Sequence, residues 1–385
     1  MKKKILFVID SLHSGGAEKS LVSLLSLINY KKFDVDLLLF KDGGLYFPLV
    51  PKEVKILSIP EYFDNKNNKI KIKMAKIKNS ILIRNPIYRK KFHGAQITAK
   101  NILKTIDNQS GKYDVAIAYS QGFPTYYVAD KVKSVKKICW INTDYKKAGY
   151  NAEFDRKYYE KYNYMIPVSK KNKEVLEAVY PEFKYKMKIV YDIISAELVT
   201  KMAEEGQGYT DDFKGYRILT IGRHVELKGY DMAIDAAKLL KEKGINFRWY
   251  SIGEGVLTDK LKNQIKNNNL ESEFVFLGTY TNPYTFIKQS DIYCQPSRFE
   301  GFGMAIAEAK ILMKPIVATN FESAKEQIIN GENGLIVEMN AKDISNAICN
   351  LINNRKMWSE RIESIKCNYN KKKSSIIDFY KIILN

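Results

Sequence analysis

At 385 residues with 45% hydrophobic side chains, the chain has the size and composition of two soluble globular domains, each able to bury its own core. No apolar run reaches the roughly 18 residues of a spanning helix, and four scattered cysteines (Cys139, Cys294, Cys349, Cys367) lack paired metal spacing and suit a reducing compartment. The net charge of +20 is uneven: residues 1–190 carry 37 Lys+Arg against 18 Asp+Glu, the remainder 26 against 25. The first half is therefore expected to meet an anionic partner. No RNP motif or zinc-finger spacing accompanies it, so nucleic acid is not expected.

The start, Met1–Asp10, imitates the charged front of a signal peptide, but its apolar run stops at Asp10 and reads as a strand, Lys4 to Ile9. Gly15 and Gly16 follow, then Leu21, Leu24, Leu25 and Ile28 at helical spacing. A double glycine permits close backbone approach at a helix start. It is not the three-glycine dinucleotide fingerprint, which argues against a dehydrogenase. Asp34-Val-Asp36 reads as strand alternation within Phe33–Phe40, not as a metal triplet. From Asn65 to Ile106 there are twelve basic residues and no acidic one. Ile70, Met74, Ile77 and Ile81 recur there at helical spacing, giving two readings: a surface helix packed on the domain, or a helix lying on an anionic membrane. Asn85-Pro86 ends that helix, and His93 reads as incidental.

Tyr113–Tyr119 is a further strand, with Ser120–Pro124 a loop at its carboxyl end, where open α/β sheets hold ligands. Lys137–Ile141 is the next strand and leads into Asn142-Thr-Asp-Tyr145. Asn142 can hydrogen-bond a hydroxyl but cannot take a proton at neutral pH. Asp144 is the nearest ionisable group, or equally a helix cap. Tyr164–Val168 is a strand, and Ser169 caps the helix after it. A domain boundary is expected near 190–214.

In the second half, Tyr216–Gly222 is a strand running into Arg223, Lys228 and Gly229, then a helix with Met232, Ile234, Ala237 and Leu240 inside. Arg supplies a planar fork and Lys a point charge, a pair that suits a diphosphate. A basic loop on a basic protein is the plainer reading, and His224 reads as structural or solvated. Phe247–Gly253, followed by Glu254-Gly255, and Phe274–Gly278 are strands, the latter leading to a loop with Tyr280. Asp291–Pro296 is another. Gly301 and Gly303 then precede a helix from about Met304 to Leu312. Glu300 and Glu308 bracket this turn with seven residues between them. A strand, a glycine turn and a helix start present backbone N–H groups to an anion, and the two carboxylates suit hydroxyls beside it. Later strands (Pro315–Thr319, Gly334–Val337) alternate with helices, and about 355–385 is helical. This rhythm predicts doubly wound α/β sheets.

Pro296-Ser-Arg-Phe-Glu-Gly-Phe-Gly303 with Glu308 resembles the E-x7-E signature of the retaining GT4 glycosyltransferases (glycosyl transferases group 1), and other landmarks of that family fall in order over nearly the whole chain. The resemblance implies a GT-B fold, two Rossmann-like doubly wound domains facing a cleft. The expected division is an acceptor domain at 1–190, a nucleotide-sugar domain at 191–365, and a tail at 366–385 returning to the first domain. It implies sugar transfer with retention from a nucleoside-diphosphate donor, expected to be UDP-linked, to a lipid-linked or anionic glycan in cell-surface polysaccharide assembly.

By the same resemblance, Gly15 and Gly16 close over the donor diphosphate and Arg223 and Lys228 clamp it. Gly253 and Glu254 border the nucleotide, and Tyr280 lies against the base. Gly301, Phe302, Gly303, Met304 and Ala305 form the binding turn, with Glu300 on the sugar hydroxyls and Glu308 on the ribose. Glu300, Arg223 and Lys228 carry catalysis, and Asn142 and Asp144 lie on the sugar or acceptor side. No metal and no tightly bound cofactor are expected. The expected location is cytoplasmic, peripheral to the membrane through residues 65–106.

Two departures stand out. Asn142 occupies a position where the family commonly has His. Tyr191-Asp192 replaces the usual Asn-Pro of the interdomain strand, placed at Lys188–Ser195. They support a second reading, a non-catalytic GT-B-like subunit that stabilises a partner transferase. A glycosidase with acid and nucleophile carboxylates and a phosphorylase with pyridoxal fit less well.

Overall fold

A computed structural model describes residues 2–13, 15–57, 69–369 and 374–384. The chain forms two compact units, Met1–Ile193 with Ser375–Asn385, and Ile194–Ser374. Residues 65–68 of the basic stretch and 370–373 of the helical tail lie outside the described residues.

The strands of the first unit are β1 (Lys3–Ile9), β2 (Phe33–Leu39), β3 (Lys55–Leu57), β4 (Lys112–Ala118), β5 (Lys133–Ile141) and β6 (Tyr164–Pro167). Its helices are α1 (Gly16–Leu27), α2 (Lys69–Arg84), α3 (Pro86–Lys91), α4 (Gly94–Ile102), α5 (Phe123–Lys131), α6 (Ala152–Tyr159) and α7 (Lys170–Val179). All strand pairs are parallel, in the order β3-β2-β1-β4-β5-β6. This is the doubly wound order, with its switch point between β1 and β4. The central strands are buried on both faces, so Ile5–Val8 and Ala116–Ala118 are apolar without alternation and fully enclosed.

The second unit holds α8 (Ala196–Glu204), β7 (Tyr216–Ile221), α9 (Tyr230–Glu242), β8 (Phe247–Ile252), α10 (Thr258–Asn267), β9 (Phe274–Gly278), α11 (Tyr284–Gln289) and β10 (Ile292–Gln295). It continues with α12 (Met304–Ile311), β11 (Ile316–Thr319), α13 (Ala324–Gln327), β12 (Gly334–Val337), α14 (Ala341–Asn353) and α15 (Arg355–Tyr369). Its parallel sheet, β12-β11-β10-β7-β8-β9, repeats the same winding, with the switch point between β7 and β10. The last helix, α16 (Ser374–Leu384), packs on the first unit: Phe379 stacks on Phe7 and Tyr380 on Phe33.

Four local expectations are revised. Lys188–Ser195 is not a strand; only a bridge between Met165 and Met187 precedes it. His93 is not incidental: it caps α4, accepting from the Ala95 N–H, while Gln96 returns a bond to the His93 N–H in a capping box. Asp144 caps no helix; its buried carboxylate accepts from the Lys147 N–H in a turn. On α2 the inward residue is Ile72, 8% exposed, whereas Ile70, Met74, Ile77 and Ile81 face outward at 70, 64, 52 and 61%. The helix packs on the domain, against α4, but the stripe is not its packed face. Asp36 belongs to β2, where it accepts from the Tyr113 hydroxyl at 2.8 Å.

Candidate active site

In the second unit the loops after β7 and β10 leave the sheet at the switch point, where open α/β sheets bind ligands. After β7 the chain passes Gly222 and Arg223 to a short turn, Glu226–Lys228, and enters α9 through Gly229. Gly229 has φ 65°, and a Cβ there would stand 1.9 Å from the Pro296 carbonyl oxygen. Only glycine lets the two loops approach this closely. After β10, Gly303 (φ 89°) opens α12, and no side chain caps the N–H groups of its first turn.

Glu300 joins the loops. Lys228 Nζ donates to both of its carboxylate oxygens at 2.6 Å, and Oε1 also accepts from Ser297 Oγ at 2.7 Å and Gln295 Nε2 at 3.0 Å. Around it, Ser323 Oγ donates to the Glu300 carbonyl, and Gln327 Nε2 donates to the carbonyls of Phe302 and Gly303. The turn Glu300–Gly303 is thus held by side chains from β10, its following loop and α13. Arg298 makes a fork to Asp231 at the start of α9, at 2.7 and 2.5 Å. Ser297, Gln295, Ser323 and Gln327 escaped sequence reasoning. Gln295 and Ser297 were within reach, lying three to five residues before Glu300; Ser323 and Gln327 are distant in sequence and carry no local signal.

Arg223 is exposed at the end of β7, with no ion-pair partner among the described residues. His224 turns inward and is fully buried, its ring nitrogens 2.9 Å from Ser251 Oγ and Thr258 Oγ1. Burial, helped by the charge of Lys262, lowers its pKa to about 4, so it stays neutral. Gly253 (φ 138°) lies where a Cβ would meet the Gly222 carbonyl at 2.1 Å, which keeps the ends of β7 and β8 together. Glu254 beside it is exposed. Tyr280, 39% exposed, packs edge-on against Phe286.

Glu308, on α12, is fully enclosed and accepts from the Tyr284 hydroxyl at 3.2 Å. Helix α8 packs on α11 and α12, which carry these two residues. The structure thus brings together Arg223, Lys228, Gly253, Glu254, Glu300 and the α12 start at one end of one sheet.

Gly15, Gly16, Asn142 and Asp144 belong to the first unit. Gly15 and Gly16 begin α1 after β1. Both polar side-chain atoms of Asn142, after β5, are buried without a hydrogen-bond partner, as are Ser120 Oγ and Gln121 Nε2 beyond β4. Thr143 donates twice to Gln121 Oε1. Asp192 is buried, and its Oδ1 lacks a partner.

Two doubly wound parallel sheets, the second with Arg223, Lys228, Glu300 and the start of α12 at its switch point, define a protein of the GT-B fold class. Residues 207–370 match the family Glycosyl transferases group 1. An uncharacterized glycosyltransferase of Methanocaldococcus jannaschii is 30% identical over 293 residues, 72% of this chain and 77% of its own length. The N-acetylgalactosamine-N,N'-diacetylbacillosaminyl-diphospho-undecaprenol 4-alpha-N-acetylgalactosaminyltransferase of Campylobacter jejuni is 27% identical over 340 residues, 88% of this chain and 86% of its own. The crystal structure of Anabaena HepE with UDP and glucose superposes with a TM-score of 0.72 at 17% identity, covering 99% of this chain and 98% of that one. The chain belongs to the group 1 glycosyltransferases.

Proposed function

We propose that the protein transfers a sugar, with retention, from a UDP-sugar to a lipid-linked or anionic glycan acceptor in cell-surface polysaccharide assembly. The observation that carries this reading is the joint placement of Arg223, Lys228, Glu300 and the start of α12 at the β7–β10 switch point. The Campylobacter relative takes a diphospho-undecaprenol-linked acceptor by its name, and HepE binds UDP and glucose. Both supports are by likeness.

In this reading the bond from the anomeric carbon to the diphosphate breaks, and negative charge grows on the leaving phosphate. Arg223, Lys228 and the N–H groups after Gly303 stabilise that charge, the term that usually dominates such sites. Glu300 receives donor hydroxyls and keeps the Lys228 ammonium aimed at the phosphate. The acceptor oxygen joins the same face of the sugar, and its proton passes to the departing phosphate oxygen. Glu308 takes the ribose beside the bond it accepts from the Tyr284 hydroxyl. Gly253 and Glu254 border the nucleoside, and Tyr280 offers a ring to the base. In the first domain, Gly15 and Gly16 offer backbone N–H groups to an anion, and the unpaired amide of Asn142, with Asp144 nearby, reads sugar or acceptor hydroxyls.

No described helix is long and apolar enough to cross a membrane. We place the protein at the inner face of the membrane, held through its basic first domain. Glu300→Ala and Lys228→Ala should each lose most turnover while the fold remains. Unchanged activity in both removes the site assignment, whereas no response of the wild type to any nucleotide sugar favours a stabilising subunit.

A further inference from the structure

Behind the Lys228–Glu300 pair, β10 carries a row of polar groups to which the proposed chemistry gives no part. Tyr293 and Gln295 lie two residues apart on that strand, so their side chains leave the same face of the sheet. Both are enclosed, at 0 and 1% exposure. The Tyr293 hydroxyl donates to Gln295 Oε1. Burial, with the charges of Tyr230, Glu300 and Glu308 added, holds the Tyr293 pKa well above its usual value, so the hydroxyl keeps the proton it donates. The amide is thereby fixed with its oxygen toward Tyr293. Its Nε2 donates to Ser297 Oγ at 2.8 Å and to Glu300 Oε1 at 3.0 Å. Reversed, the amide would set its oxygen against the Glu300 carboxylate, two acceptors with no proton between them.

These bonds load the two oxygens of Glu300 unequally. Oε1 accepts from Lys228 Nζ, Ser297 Oγ and Gln295 Nε2, whereas among the described residues Oε2 accepts from Lys228. A carboxylate oxygen offers about two lone-pair sites. Oε1 is therefore filled, and Oε2 keeps room for a further donor.

We infer that Gln295, held by Tyr293, is a positioning residue for the sugar transfer: it fills Glu300 Oε1 and so presents Oε2 to a hydroxyl of the donor sugar. The inference rests on the donor-sugar role proposed for Glu300, and adds which oxygen takes the hydroxyl and what aims it. Besides Lys228, the titratable groups that feel the Glu300 charge are Tyr230 on α9 and Tyr293, and burial together with that charge keeps both protonated.

The test is Gln295→Glu in the full chain. Protonated, the new carboxyl accepts from Tyr293 and donates to Glu300 as the amide does. Ionised, it sets a like charge against Oε1 and turns Glu300 away. Hydrolysis of a UDP-sugar, followed from about pH 5 to 9, should fall in the variant relative to the wild type as pH rises, by roughly tenfold or more. Gln295→Leu has no donor at any pH and should lose roughly 10²-fold throughout. Its affinity for UDP should stay within about threefold of the wild type, because the sugar contact and not the diphosphate clamp is disturbed. Tyr293→Phe frees the amide to turn and should lose about tenfold.

Thr319→Val separates positioning from mere support. It removes bonds to the carbonyls of Gln295 and Ser297 and leaves both side chains in place. It should lower the melting temperature without a pH-dependent loss of turnover. Melting also reports the contact itself: Gln295→Glu should lose melting temperature relative to the wild type as pH rises, and should lose less when combined with Glu300→Gln. A turnover ratio of Gln295→Glu to wild type that is flat with pH overturns the inference. So does a folded Gln295→Leu or Tyr293→Phe protein that matches the wild type. A wild type that hydrolyses no UDP-sugar is a different failure: it removes the donor reading, and the positioning role with it, whatever the melting curves show.

Discussion

The Lys228 ammonium stands 2.6 Å from both carboxylate oxygens of Glu300, across the two loops that leave the sheet at its switch point. Both side chains are mostly shielded, with 21% and 10% exposure. Each group therefore holds the other in place, and neither can be removed without stranding its partner. Glu300→Gln keeps the shape and the hydrogen bonds from Ser297 and Gln295 but leaves Lys228 without its counter-charge. It should lower turnover by roughly 10²-fold or more and cost about 1–3 kcal/mol of stability. Steady-state kinetics together with urea unfolding would check both.

Arg223 gives the opposite pattern. Its side chain is exposed and makes no ion pair among the described residues, so Arg223→Ala should shift stability by less than about 0.5 kcal/mol. Donor turnover should nevertheless fall by roughly 10²-fold. A melting curve beside a donor titration separates the two effects, and a large loss of stability would show that Arg223 has a structural task.

Gly229→Ala tests the close approach of the loops. The substitution puts a Cβ 1.9 Å from the Pro296 carbonyl oxygen at φ 65°. The loops must part, and Lys228 beside it moves with them. We expect a loss of roughly 1–3 kcal/mol, plus more from the clash, with donor affinity falling in parallel. Unchanged donor binding would place the diphosphate elsewhere.

The pH dependence of stability should carry two opposed contributions. His224 has its pKa lowered from 6.5 to about 4, mainly by burial. The unfolded chain binds the extra proton between those values. Its contribution is complete above about 6.5 and is lost as pH falls through 4, on the order of 3 kcal/mol in all. Asp192 runs the other way. Burial raises its pKa from 3.8 to about 7, so its contribution is complete below 3.8 and is lost as pH rises through 7. The two windows overlap, so the slopes nearly cancel in the wild type between about pH 4 and 6.5. In melting temperatures measured from pH 4 to 8, His224→Gln should unmask a fall as pH rises, and Asp192→Asn a rise.

Much of this was legible in the sequence because buried parallel strands are short apolar runs and their carboxyl ends are marked by glycines. The stretch from Ile292 to Glu308 could be read almost entirely. What escaped reading depends on partners far along the chain. Lys228 and Glu300 are 72 residues apart, so nothing local marks the ion pair between them. His224 could be read only as structural or solvated, because the partners that fix it as structural, Ser251 and Thr258, are distant in sequence. The capping role of His93 was missed because a ring nitrogen takes the place that Ser or Thr usually fills. On α2 the periodicity found the apolar stripe but not its direction, since a stripe facing lipid and one facing a core have the same spacing. Extended residues 188–195 looked like a strand, yet the backbone finds no ladder partner there beyond the Met165–Met187 bridge.

The most direct test incubates the purified protein with UDP-, GDP- and ADP-sugars, following the melting temperature and nucleotide release, with Glu300→Gln and Arg223→Ala alongside. The account predicts that one UDP-sugar raises the melting temperature of the wild type and is slowly hydrolysed to UDP. Both variants should lose the hydrolysis. No response to any nucleotide sugar, or hydrolysis that persists undiminished in both variants, would contradict it.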